Sequence, residues 1–123
     1  MLRHCKKWRD WLNVMHLSES AIQSKCVTWF NNTYCLKHHT PRSMIFHVAN
    51  ENQHKHIALG VLAGVSDLVV LHGGQVLWVE MKDHKGRLRL AQIEFRERVC
   101  LMGYTYHVCR SLEEFKEIIE SPA

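Results

Sequence analysis

Two strongly apolar segments, Asp67-Leu68-Val69-Val70-Leu71 and Gln75-Val76-Leu77-Trp78-Val79-Glu80-Met81-Lys82, meet at the turn residues His72-Gly73-Gly74-Gln75. Neither segment alternates polar with apolar residues, so both read as buried strands with no wet face. The glycine pair between them predicts a tight hairpin. A hairpin of this kind must be covered on both faces. Its charged residues stand at one end: Asp67 opens the first strand, and Glu80 and Lys82 close the second. An ionised Asp, Glu and Lys among such apolar neighbours are costly unless they serve each other or a metal.

Side chains alternate along a strand, so Glu80 and Lys82 share a face and Met81 points away. The Met81 backbone carbonyl is still available as a ligand. If the strands pair across Gly73-Gly74, Asp67 reaches the Glu80 side of the hairpin. Asp67, Glu80 and the Met81 carbonyl then form a half-shell of oxygen ligands for Mg²⁺ or Mn²⁺, with water and a phosphate oxygen to complete it. Such a cation polarises a phosphate and acidifies a bound water. Lys82 would orient that water or neutralise developing charge. A Glu-x-Lys triplet alone is a weak signal; Asp67 at hairpin distance on an equally apolar strand makes it specific.

The remaining elements follow from periodicity and caps. Ser18 reads as an N-cap, with Glu19 in the first turn, and Ile22, Cys26, Trp29, Phe30 and Thr33 recur at helical spacing to about Tyr34. Glu19 and Gln23 continue the stripe of Cys26 and Phe30 at its N-terminal end. Residues 8–17 fit a short extra helix or an arm equally well. Met44 to Val48 predict a strand, and residues 53–60 a short helix or turn. Residues 89–102 predict an amphipathic helix with Ala91, Phe95, Val99 and Met102 inward, closed by Gly103. Tyr104 to Cys109 predict a strand. Ser111-Leu112-Glu113-Glu114 reads as a capping box opening a last helix that buries Leu112, Phe115, Ile118 and Ile119. The fold class is α/β, a mixed sheet with helices on both faces.

With 123 residues the chain makes one domain. No apolar run is long enough to span a bilayer, and residues 1–7 lack the pattern of a secretory signal, so an intracellular protein is expected. The five cysteines, Cys5, Cys26, Cys35, Cys100 and Cys109, have no C-x-x-C spacing and read as reduced, mostly buried thiols rather than a zinc site. His38-His39 and His54-x-His56 read as surface or loop histidines. Sixteen Lys and Arg against twelve Asp and Glu leave a net charge of +4, gathered in residues 1–43 and 82–110. Basic blocks around an acidic centre suit a polyanion, with a metal between it and the carboxylates. An ordinary solvated surface would carry similar charge.

Taken in order, Glu19-x-x-x-Gln23, Asn50-Glu51, Gly64-x-x-Asp67, Glu80-x-Lys82 and Gln92 resemble the motifs of the VRR-NUC family, a branch of the PD-(D/E)XK nuclease superfamily. The resemblance runs from about Ser18 to Ile119. It implies a restriction-endonuclease-like core over residues 18–123, preceded by an N-terminal arm or short helix at 1–17. It also implies metal-dependent cleavage of DNA phosphodiesters. Asp67 and Glu80 would be metal ligands, Lys82 the catalytic lysine, Glu19 the helix-one acid that supports the metal site, and Gln92 the helix glutamine beside it. Ser66 stands where the family often has Pro, which removes rigidity but no ligand.

Similarity to stand-alone members of that family implies a homodimer selective for branched DNA such as four-way (Holliday) junctions, in the cytoplasm of a bacterial or phage-infected cell. A two-fold dimer doubles the basic area and presents two sites to a two-fold substrate that needs two nicks. The basic loop Lys85-Gly86-Arg87-x-Arg89 would contact phosphates. Flaps, nicked duplex, plain duplex, RNA and a non-catalytic nucleic-acid-binding module stay open as alternatives.

Overall fold

The computed structural model describes residues 17–36, 42–49 and 59–121. The elements are α1 (Glu19–Phe30), β1 (Met44–His47), β2 (Leu68–His72), β3 (Gln75–Met81), α2 (Leu90–Leu101), β4 (Thr105–Cys109) and α3 (Leu112–Glu120). A wider, π-type turn, Asn31–Cys35, continues α1. The sheet runs β1-β2-β3-β4, antiparallel across the first two pairs and parallel across β3 and β4. That last pair is parallel because α2 carries the chain back between them. This is the mixed sheet the sequence predicts.

The hairpin forms in the predicted register: His72 pairs with Gln75 and Leu68 with Val79. Gly73 and Gly74 have φ of +61° and +76°, the left-handed values a two-residue turn of this type needs at both positions. One face of the sheet buries Leu68, Val70, Leu77, Val79, Met81 and Cys109 against Ile22, Cys26 and Phe30 of α1 and Phe115 and Ile119 of α3. Leu112 and Ile118 are half-buried at the margin of this core. On the other face Phe95 of α2 packs edge-on against Trp78 and Tyr106. No helix among the described residues is long and apolar enough to cross a membrane.

Several local expectations change. Met102 is 65% exposed rather than inward, because α2 ends at Leu101 and the chain is already turning toward Gly103. Ser111 caps α3 as expected, its hydroxyl accepting from the Glu114 N–H, but the Glu114 carboxylate accepts from Arg110 N–H instead of closing a box on Ser111. Cys26 and Cys109 are buried free thiols and Cys35 is half-buried, whereas Cys100 is exposed on α2. The N-terminal arm, apart from Leu17, lies outside the described residues. So do Cys5, the histidines at 38, 39, 54 and 56, Asn50, Glu51 and the predicted turn up to residue 58.

One glycine sets how the loop before β2 meets α2. Gly64 is buried at φ +82°, and a Cβ there would lie 2.1 Å from the Ala91 carbonyl oxygen. Gly74 has a similar φ of +76° and meets no described atom within 4 Å. Gly74→Ala should therefore cost only backbone strain, about 1 kcal/mol. Gly64→Ala should cost at least about 2 kcal/mol more, because helix backbone must move. Chemical denaturation of the two variants measures the difference.

Candidate active site

The hairpin register brings the start of β2 beside the end of β3. Asp67 stands one residue before β2, and its Oδ2 accepts the Met81 N–H at 2.8 Å. In an extended strand a residue's N–H and C=O point to the same edge. The Met81 carbonyl therefore also faces the Asp67 side, while the Met81 side chain is fully buried in the opposite core. Ser66 is fully buried, and its hydroxyl donates to the Leu68 carbonyl at 3.1 Å. That bond constrains the approach to Asp67.

Glu80 lies on the α2 face, 2% exposed. Its Oε1 accepts from Gln92 Nε2 at 2.8 Å and has Lys82 Nζ at 3.7 Å. Its Oε2 is buried with no hydrogen-bond partner among the described residues. Gln92 is held from both ends, since its Oε1 accepts the Arg89 N–H at 2.8 Å at the start of α2. The first turn of the helix is thereby tied to Glu80, and Gly64 lets the loop before Asp67 lie against that same turn.

The electrostatics follow from this crowding. Burial, then the Asp67 charge, push the Glu80 carboxyl up to about 8, with Lys82 acting the other way. A buried carboxylate beside another negative charge is costly to ionise, so without a cation Glu80 keeps its proton near neutral pH. Lys82 is itself only 4% exposed. The site thus gathers a buried acid, a half-buried acid and a buried lysine.

Glu19 is placed one step further out. It is half-buried, and its Oε1 and the Lys82 Cδ both face the Gly86 backbone, 3.4 Å and 3.1 Å from where a Cβ would stand. The inward stripe of α1 thus delivers Glu19 to the loop after Lys82, on the side of the Lys82 stem. Lys85, Arg87 and Arg89 are exposed on the loop between β3 and α2. That loop is braced. Asp83 Oδ1 accepts the Lys85 N–H at 2.9 Å and the Gly86 N–H at 2.6 Å, which holds the Asp83 carboxyl below its usual range. The Arg110 guanidinium donates to the carbonyls of Asp83 at 2.6 Å and Gly86 at 2.8 Å.

Arg110 was not legible as a site residue, because only the β4 register brings it to this loop. Trp78 and Tyr106 were also missed. Trp78 Nε1 and the Tyr106 hydroxyl are buried without hydrogen-bond partners among the described residues. They share the sheet face of Glu80. Burial, then the Glu80 charge, raise the Tyr106 phenol above its ordinary range. The period of two places Trp78 beside Glu80; nothing local places Tyr106.

No family model and no curated protein matches the sequence. A solved structure described as "VRR_NUC domain protein" has the same fold, with a TM-score of 0.68, 24% sequence identity and coverage of 85% of this chain and 87% of that chain.

The raised Glu80 carboxyl makes stability depend on pH. Its proton is retained in the folded chain and lost early in the unfolded one. Its contribution is therefore complete below about pH 4.5 and lost as pH rises through about 8. In metal-free buffer Glu80→Gln should leave stability near wild type at pH 5 and exceed it by on the order of 2 kcal/mol at pH 9. Urea unfolding at the two pH values checks this; parallel pH profiles would contradict it.

Proposed function

We propose that this chain is a divalent-metal-dependent endonuclease that hydrolyses phosphodiester bonds of DNA. The observation that carries this reading is the convergence of the Asp67 and Glu80 carboxylates at the end of one hairpin. Lys82 lies 3.7 Å from Glu80 Oε1, and Glu80 Oε2 is buried and unserved. The ordered motifs that resemble VRR-NUC nucleases and the shared fold support it.

The donor set fits Mg²⁺ or Mn²⁺. It is all oxygen, and a cation would displace the proton that Glu80 keeps. Among the described residues no three His, Cys, Asp or Glu side chains gather into a metal cluster. Asp67, Glu80 and the Met81 carbonyl would hold the ion, and water and phosphate would complete its shell. When bound, the ion polarises the phosphate and acidifies water. Hydrolysis joins a water oxygen to phosphorus and releases a sugar hydroxyl, so negative charge builds on the phosphate oxygens and on the leaving oxygen. Lys82 stands where it can offset that charge or steady the incoming water. Gln92 holds Glu80 in the orientation that leaves Oε2 free. Glu19 supports the site through the Gly86 loop and the Lys82 stem. Lys85, Arg87 and Arg89 supply phosphate contacts from a loop that Asp83 and Arg110 keep in place.

The substrate we propose is branched DNA, four-way junctions above all, cut by a homodimer. A domain this small offers little surface to grip a duplex, and a two-fold pair of sites matches a substrate that needs two symmetric nicks.

Asp67→Asn and Glu80→Gln should each lower cleavage at least about a hundredfold and abolish the thermal stabilisation by Mn²⁺. Lys82→Ala should lose cleavage while keeping DNA affinity. Glu19→Gln should lose much activity with little change in thermal stability. Normal cleavage by either carboxylate variant would remove the site assignment.

Light scattering should give the mass of a dimer, and a four-way junction should be cut in preference to linear duplex of the same sequence. Binding should weaken steeply with salt as counterions are released. A monomer that cuts both DNAs equally would defeat the junction reading, and preferential cutting of matched RNA would replace the substrate.

A further inference from the structure

Asp67 is one residue short of β2. Its carbonyl oxygen has two neighbours. The Val48 N–H donates to it at 2.9 Å, and His47 Nδ1 lies at 2.9 Å. The same ring nitrogen is 3.1 Å from the side-chain amide nitrogen of Gln23, on α1.

One ring nitrogen cannot serve both contacts as drawn. If Nδ1 held a lone pair, it would accept from Gln23, but that lone pair would then face the Asp67 carbonyl oxygen at 2.9 Å. Two acceptors would be pressed together, and the Val48 N–H holds the carbonyl from moving away. If Nδ1 carries the hydrogen, it donates to Asp67, and a half-turn of the Gln23 amide presents Oε1 to the same N–H. The two ends of an amide are nearly identical in shape, so that turn costs little. The second arrangement wins because it replaces a repulsion with a hydrogen bond and loses no packing.

We infer that His47 is a positioning residue for Asp67, donating from Nδ1 to the Asp67 carbonyl and steadied in turn by Gln23. The bond reaches the backbone of the residue whose carboxylate meets Met81 and Glu80. It adds, from the α1 side of the sheet, a second hydrogen bond to the one that the Val48 N–H supplies. Its effect on turnover rests on the nuclease reading above; the hydrogen bond itself does not.

The test has two arms. In ¹⁵N-labelled, metal-free protein at pH 8, long-range imidazole spectra should show His47 with Nδ1 protonated and Nε2 bare. The signal is assigned by its loss in His47→Asn. A His47 ring protonated on Nε2 alone would overturn the inference. In the kinetic arm, Asn carries its amide nitrogen the same number of bonds from the backbone as Nδ1, whereas Gln carries it one bond further. With Mn²⁺ and a four-way junction, His47→Ala and His47→Gln should lower kcat about three- to tenfold with KM unchanged, the value of one hydrogen bond. His47→Asn should stay within about twofold of wild type. Equal losses in Asn and Gln, or a change confined to KM, would overturn the positioning role. If wild type cleaves no DNA, the nuclease reading and the role in turnover fail together, while the spectra still decide the hydrogen bond.

Discussion

The antiparallel register of β2 and β3, closed by two left-handed glycines, is the constraint on which the rest of the molecule depends. It sets the Asp67 carboxylate on the Met81 amide, so a residue outside the strand is anchored to the strand beside it. The same register puts Leu68, Val70, Leu77 and Val79 on one face, where α1 and α3 cover them. A one-residue slip would turn that core to the other side and carry Glu80 with it. Core packing and site geometry are therefore enforced by one pairing.

Glu80 shows what the arrangement demands. A carboxyl 2% exposed, beside another acid, is held up at about 8, and a lysine at 3.7 Å only partly offsets the burden. A core built only for stability has no use for such a group, since apolar residues of similar volume fill the space at lower cost. Glu80 Oε2 has no hydrogen-bond partner among the described residues, a rare condition for a buried oxygen. Trp78 and Tyr106 add polar atoms in the same condition on the same sheet face. Unpartnered buried polar atoms are thus concentrated on the α2 side, and the buried core of the opposite face is apolar.

The segments that flank the strands are fixed by side chains and close backbone approach. Gly64 allows the loop to touch the first turn of α2, Gln92 ties that turn to Glu80, and the buried Ser66 hydroxyl donates to the Leu68 carbonyl. Arg110 reaches from the end of β4 to two carbonyls of the basic loop. Each hydrogen bond among them is worth about 1 kcal/mol or a little more, and all of them act on the segments that adjoin the ends of β2 and β3.

Much of this was legible in the sequence because it is local or periodic. Alternation placed Glu80 and Lys82 on one face, glycine chemistry placed the hairpin, caps and periodicity placed the helices, and the hairpin alone made Asp67 a neighbour of Glu80. Residue 102 misled because the helical period does not say where a helix stops. What only the tertiary structure decided are contacts between elements far apart in the chain. Glu19 lies against Gly86, Gln23 and His47 stand behind Asp67, Arg110 braces the loop at 83–86, and Tyr106 joins the Glu80 face. No spacing encodes these, because each depends on how a helix crosses the sheet or on the register of β4, and both are set by packing of the whole core.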